Sequence, residues 1–166
     1  MVSGGYASND QLAYLPNGTT MVYPGYFGRL ETPMAYADGV FYVPYVDLYI
    51  NYAATGIANG QRFKEGKSGL DALDVSTGKI IGDKKFDSLN FGEAIVVNDQ
   101  VLTVTYDGTI YAFQKDTGME VFRSKAPTGI NAWPAAIKDF IIWPFGVGEK
   151  SSLIALLCSS VAAGGP

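Results

Sequence analysis

The stretch Gly69-Leu70-Asp71-Ala72-Leu73-Asp74-Val75-Ser76-Thr77-Gly78-Lys79 decides how the chain is read. A short alternating strand ends near Leu73, and a turn closing in Thr77-Gly78 follows it, which is the pattern of a strand running into a hairpin. Forty residues on, Ile110-Tyr111-Ala112-Phe113-Gln114-Lys115-Asp116-Thr117-Gly118 repeats the arrangement. The same offset relates Val97-Asn98-Asp99-Gln100-Val101-Leu102 to Ile137-Lys138-Asp139-Phe140-Ile141-Ile142. A further copy of that segment lies upstream at Ala37-Asp38-Gly39-Val40-Phe41, and Leu153-Ile154-Ala155-Leu156 opens another element like the one at Leu70.

Aligned, the copies define one unit. An apolar stretch (from Pro33, Ala94 or Pro134) meets a tight turn at Asp38-Gly39, Asn98-Asp99 or Lys138-Asp139. A β-rich run follows, then the alternating strand, the Thr-Gly turn and a last strand such as Met119-Glu120-Val121-Phe122. Four short strands in a period of about 40 predict an all-β fold, a β-propeller of four-stranded antiparallel blades. A helical solenoid of that period needs a 3.6-residue apolar pattern, which these runs lack. Gly78 and Gly118 suit the positive φ of a hairpin turn, and the polar residues before them suit bonds to nearby backbone N–H groups.

The units divide the chain. Residues 30–157 hold about three to four blades, 1–29 read as the loop and tail of a preceding blade, and 158–166 as a C-terminal tail. Closed propellers have about four to eight blades, so the arc is incomplete. One unit is about twenty residues too long, which places an insertion at about 45–67. Its tyrosines Tyr45, Tyr49 and Tyr52 either form a binding surface or pack the loop against its own blade.

Composition narrows the function. Among 166 residues there is no His, which excludes Ser-His-Asp and Cys-His catalysis and an imidazole switch. Cys158 is a single cysteine in an apolar run and reads as a packed residue. The net charge of −4 and the lack of any basic cluster beyond Lys84-Lys85 argue against nucleic acid as a partner. No apolar run approaches the ~18 residues of a membrane span. The stretch from Met1 to Tyr6 has no signal-peptide pattern. Asn17-Gly18-Thr19 fits a glycosylation sequon, a motif short enough to arise by chance.

The Gly69–Lys79 stretch resembles the blade repeat of the PQQ-like (quinoprotein alcohol dehydrogenase-like) β-propellers. Tyr106-Asp107-Gly108-Thr109-Ile110-Tyr111-Ala112 and Gly129-Ile130-Asn131-Ala132-Trp133-Pro134 resemble their later blades. The resemblance covers about residues 30–157 and implies an extracytoplasmic protein. Such blades commonly carry a docking Trp four residues past the Thr-Gly glycine. Here that position is Gly82 in one blade and Phe122 in the next, so the first groove between blades is expected to be emptier. Family dehydrogenases pair calcium-bound quinone with a catalytic Asp, and many set a disulfide of adjacent cysteines beneath it. This chain has no such cysteine pair. The expectation is a non-catalytic binding or scaffold module that requires no cofactor of its own, as in the propeller lipoproteins of outer-membrane assembly. Alternatives are the C-terminal part of a PQQ-dependent dehydrogenase, with PQQ and calcium as cofactors, and an extracellular carbohydrate binder using the Tyr-rich insertion.

First strands line a propeller's channel, so the residues before them converge at its mouth. With Pro33, Ala94 and Pro134 in register, Glu31, Glu93, Asn131 and Trp133 are the candidate cofactor-binding residues. Oxygen donors suit a hard cation, and an indole suits stacking. The plainer reading leaves both glutamates in water and Trp133 packed between blades. An open arc exposes apolar blade faces. The expected partner is therefore another propeller segment or a second copy of the chain. Light scattering on the eluting protein is expected to give at least twice the 17.8 kDa chain mass; a stable monomer would refute the pairing.

Overall fold

A computed structural model describes residues 18–25, 28–58, 63–137 and 140–146, and the backbone of 151–157. The sequon residue Asn17, the turn Lys138-Asp139, Cys158, the tail 158–166 and most of 1–29 lie outside the described residues.

The fold is all-β, in four antiparallel sheets. Blade 1 has the order β2 (Ala35–Ala37), β3 (Val40–Asp47), β6 (Lys67–Asp74), β7 (Ile80–Phe86). Blade 2 has β8 (Ile95–Val97), β9 (Gln100–Val104), β10 (Thr109–Gln114), β11 (Glu120–Lys125). In blade 3, β12 (Ala135–Ile137), β13 (Phe140–Gly146) and β14 (Ser151–Leu157) follow the same order. The sheets of the described residues do not close into a ring and form a partial propeller.

The repeat recurs hydrogen bond by hydrogen bond. Gly78 N–H donates to Asp74 O and Gly118 N–H to Gln114 O, each at 2.8 Å. Both glycines hold positive φ, 67° and 66°. Thr77 and Thr117 hydroxyls accept from the Lys79 and Met119 amides, as expected. Ser76 differs: its hydroxyl donates to the Asp74 carboxylate, which already gathers the Thr77 N–H and O–H. Blades 1 and 2 each have a register shift at the same place, Ala72/Leu73 and Ala112/Phe113. Val75 N–H bonds Gly39 O, and Lys115 N–H bonds Asp99 O, tying each Thr-Gly turn to the first turn of its blade.

Blade 2 is buried on both faces, which explains the unbroken burial of Gln100–Val104. On one face Val101 and Phe113 pack with Tyr42, Leu70 and Phe86 of blade 1. On the other, Leu102, Val104, Ile110 and Ala112 meet Ile141 and Trp143 of blade 3. Among the described residues the outer blades have no such double cover. Tyr36 is 60% exposed on blade 1, and Ile137 and Phe140 are 55% and 45% exposed on blade 3.

The insertion leaves blade 1 between β3 and β6, after Asp47 pairs with Lys67. It forms the hairpin β4 (Ile50–Ala53), β5 (Gly56–Ile57) and one 3₁₀ turn, Phe63–Glu65. β1 (Thr20–Val22) adds to the edge of this hairpin. Two of the three tyrosines are engaged within the chain. Tyr49 donates to Glu65 and packs 5.5 Å from the Tyr23 ring, while Tyr45 accepts from Lys85, whose ammonium also lies over its ring.

Two glycines give a matched test. A Cβ on Gly92 would overlap Val104 Cγ2, whereas a Cβ on Gly82 would touch only Ala72 Cβ at 3.8 Å. Gly92→Ala is expected to cost about 1–3 kcal/mol through overpacking. Gly82→Ala is expected to be neutral or to stabilise by up to about 1 kcal/mol, since β-glycines carry an entropic cost. Urea midpoints of the two variants check this.

Candidate functional site

Three equivalent hydrogen bonds set the register where the chain enters each blade. Val46 N–H bonds Arg29 O at 2.8 Å, Tyr106 N–H bonds Leu89 O at 2.6 Å, and Gly146 N–H bonds Gly129 O at 3.1 Å. The first strands begin at Ala35, Ile95 and Ala135 in the same spacing. The lead-in of blade 1 is thus one residue out of step with the alignment on Pro33, Ala94 and Pro134. Glu31 is equivalent to Phe91 and Asn131, and Glu93 is equivalent to Pro33 and Trp133. The sequence hides this slip because the apolar lead-ins carry no turn residue to mark their start.

The corrected register explains which candidates meet. Glu31, Asn131 and Trp133 line one cavity of about 390 Å³, with Thr32, Phe63, Phe91 and Tyr106. Glu31, Phe91 and Asn131 are the same position in three successive blades. Glu93 is not among the lining residues. It is half-buried, its carboxyl is raised above the usual range by burial, and its carbonyl accepts from the Thr103 hydroxyl at 3.2 Å. Trp133 is 58% exposed, so it stands at the cavity edge and does not pack between blades.

Besides Phe91, three lining residues have no counterpart among the candidates read from the sequence. Tyr106 sits in the turn between β9 and β10, at the end of the blade where the lead-ins lie. Phe63 comes from the insertion and packs 6.0 Å from both Phe91 and Tyr106. Nothing in the sequence traces the path of the insertion, so only its aromatic character was a signal. The insertion is anchored there: Leu48 and Val46 pack with Leu89, and a side chain on Gly66 would overlap Leu89. Thr32 is the third, and its Oγ1 is buried with no hydrogen-bond partner among the described residues.

Asp107 fixes the turn that carries Tyr106. Its Oδ1 accepts from the Thr105 hydroxyl at 2.6 Å and from the Thr109 N–H and O–H at 3.2 and 3.0 Å. Lys125 donates to its Oδ2 at 2.5 Å. Partial burial raises the Asp107 carboxyl, but Lys125 and the threonine donors outweigh it and hold it at about 2.

The oxygen-bearing side chains lining this cavity are one carboxylate (Glu31), one amide (Asn131), one aliphatic hydroxyl (Thr32) and the Tyr106 phenol. Calcium takes six to eight oxygens, and among the described residues no three Asp, Glu or Cys side chains cluster to hold a metal. The aromatic faces fit a planar ring, but the donor set of these blades does not fit a calcium–quinone centre.

Comparison with known proteins agrees with the fold. No family model and no curated protein matches the sequence. Among solved structures, a quinohemoprotein alcohol dehydrogenase from Pseudomonas putida HK5 superposes with a TM-score of 0.68 at 18% identity, covering 82% of this chain and 25% of that one. A europium-containing methanol dehydrogenase gives 0.57 at 19% identity, over 70% and 24% of the two chains. BamB from Moraxella catarrhalis gives 0.53 at 19% identity, over 82% and 35%. The chain therefore has the PQQ-like β-propeller fold and spans about a quarter to a third of the length of these structures.

The Asp107 network carries a pH prediction. A carboxyl depressed in the fold contributes stability above its unfolded value near 3.8, and loses it as pH falls through about 2. Asp107→Asn is expected to lower stability at pH 7 by no more than about 1 kcal/mol, because the carboxylate is half exposed and screened. It should also flatten the loss between about pH 4 and pH 2. Thermal unfolding across that range checks both parts.

Proposed function

We propose that this chain is a non-catalytic binding or scaffold segment of a PQQ-like propeller, with its binding surface at the channel mouth. The observation that carries this reading is the lining of the mouth. Four aromatic side chains, Phe63, Phe91, Tyr106 and Trp133, meet a single carboxylate, one amide and an unpartnered hydroxyl. Aromatic walls with a few converging polar groups orient a ligand. A calcium ion that holds a quinone takes six to eight oxygen donors, more than the side chains of this cavity supply. The exposed apolar side chains on blades 1 and 3 support the rest of the reading, in which another propeller segment or a second copy covers those faces. An extracytoplasmic location belongs to the same proposal. Among the described residues no helix is long and apolar enough to cross a membrane.

The discriminating experiment adds PQQ and calcium to the purified chain and follows reduction of an electron-accepting dye with alcohol or sugar substrates. The expected result is no reduction above the protein-free blank. Quinone-dependent reduction that falls at least tenfold in Glu31→Gln would overturn the reading in favour of a dehydrogenase segment, with Glu31 taking the substrate hydroxyl proton.

A further inference from the structure

The groove between blades 1 and 2 has lost a ring that the groove between blades 2 and 3 retains. Gly82 stands opposite Ala72 in β7, and Phe122 stands opposite Ala112 in β11. Each pair adjoins the same register shift, so Gly82 and Phe122 are one position of the repeat. Phe122 packs against the apolar cluster between blades 2 and 3. At Gly82 the equivalent space is open, and a cavity of about 200 Å³ lies there. Its walls are Val40, Tyr42, Leu70 and Ala72 from blade 1, and Val101 and Phe113 from blade 2.

We propose that this cavity binds a small neutral planar aromatic molecule of one or two fused rings. Three observations define the ligand class. The space is the socket of an aromatic side chain, as Phe122 shows one blade away. Its volume exceeds that of the apolar cavities of about 150 Å³ that take up benzene. Its walls are apolar and belong to strands of two adjacent blades, whereas charges of both signs, Asp83, Lys84, Lys115 and Asp116, sit among the lining residues. The mixed charges give no net preference for an ion. They supply donors and acceptors for one polar ring atom. An ion pair between Lys115 of blade 2 and Asp38 of blade 1 links the two blades that form the walls. Lys84 reaches across from β7 to lie 5.7 Å from the Phe113 ring centroid. The site is separate from the channel mouth and shares no lining residue with it.

Indole is the probe, titrated into the full chain and followed by two-dimensional NMR. The expected result is saturable shifts at Tyr42, Val101 and Phe113, with direct cross-relaxation between indole protons and the Tyr42 and Phe113 rings. Gly82→Trp, which supplies the missing ring covalently, is expected to raise Tm by about 2–4 °C and to abolish the shifts. The proposal is overturned if wild-type protein shows no shift at these residues up to the solubility of indole. It is equally overturned if the shifts saturate unchanged in folded Gly82→Trp. Should that variant not fold, Gly82→Phe reproduces the residue already accommodated at Phe122. The wild-type cross-relaxation decides the matter without any variant.

Discussion

Blade 2 lies between two apolar faces, and that stacking governs the rest of the molecule. Val101 and Phe113 point one way and Leu102, Val104 and Ile110 the other, so no residue of β9 sees solvent on either side. A four-stranded sheet with two apolar faces cannot be stable alone, because each face must be removed from water. The neighbouring blades meet that demand through Tyr42, Leu70 and Phe86 on one side and Ile141 and Trp143 on the other. Each fully buried side chain of this kind contributes about 1.5–3 kcal/mol.

The same stacking builds both sites. Successive blades bring equivalent lead-in positions together, which is why Glu31, Phe91 and Asn131 share a cavity although they are far apart in the chain. The stacking also turns the absence of one side chain into a defined space. Gly82 would be an unremarkable glycine in an isolated hairpin. Between two blades it leaves a socket shaped by the repeat itself.

Polar groups divide by what surrounds them. Asp74 and Asp107 each collect hydrogen bonds from neighbouring turn residues, and both carboxyls lie below the usual range; Asp74 owes this chiefly to the Ser76 and Thr77 side chains. Glu93 and Asp71 are raised, in each case first by burial. Turn carboxylates therefore stabilise the hairpins in the ionised form, while the two half-buried ones resist ionisation. Glu31, on the cavity wall with Asn131 and Trp133, is exposed.

The repeat, the all-β class and the hairpin turns were legible in the sequence because they rest on local chemistry. Gly78 and Gly118 adopt the positive φ that their Thr-Gly context implies, and alternating runs form strands in the expected order. The emptier groove at Gly82 was also legible, since it needs only the register of one hairpin. The one-residue slip before β2 was not, nor was the arrival of Phe63 beside Phe91 and Tyr106. Lead-in register is set by backbone bonds between distant residues, such as Arg29 with Val46, and the course of a long insertion is set by what it packs on, here Leu89. Sequence determined the unit because its signals lie within one hairpin. Only the tertiary structure decided which side chains of different units share a cavity, because that depends on how whole blades stack.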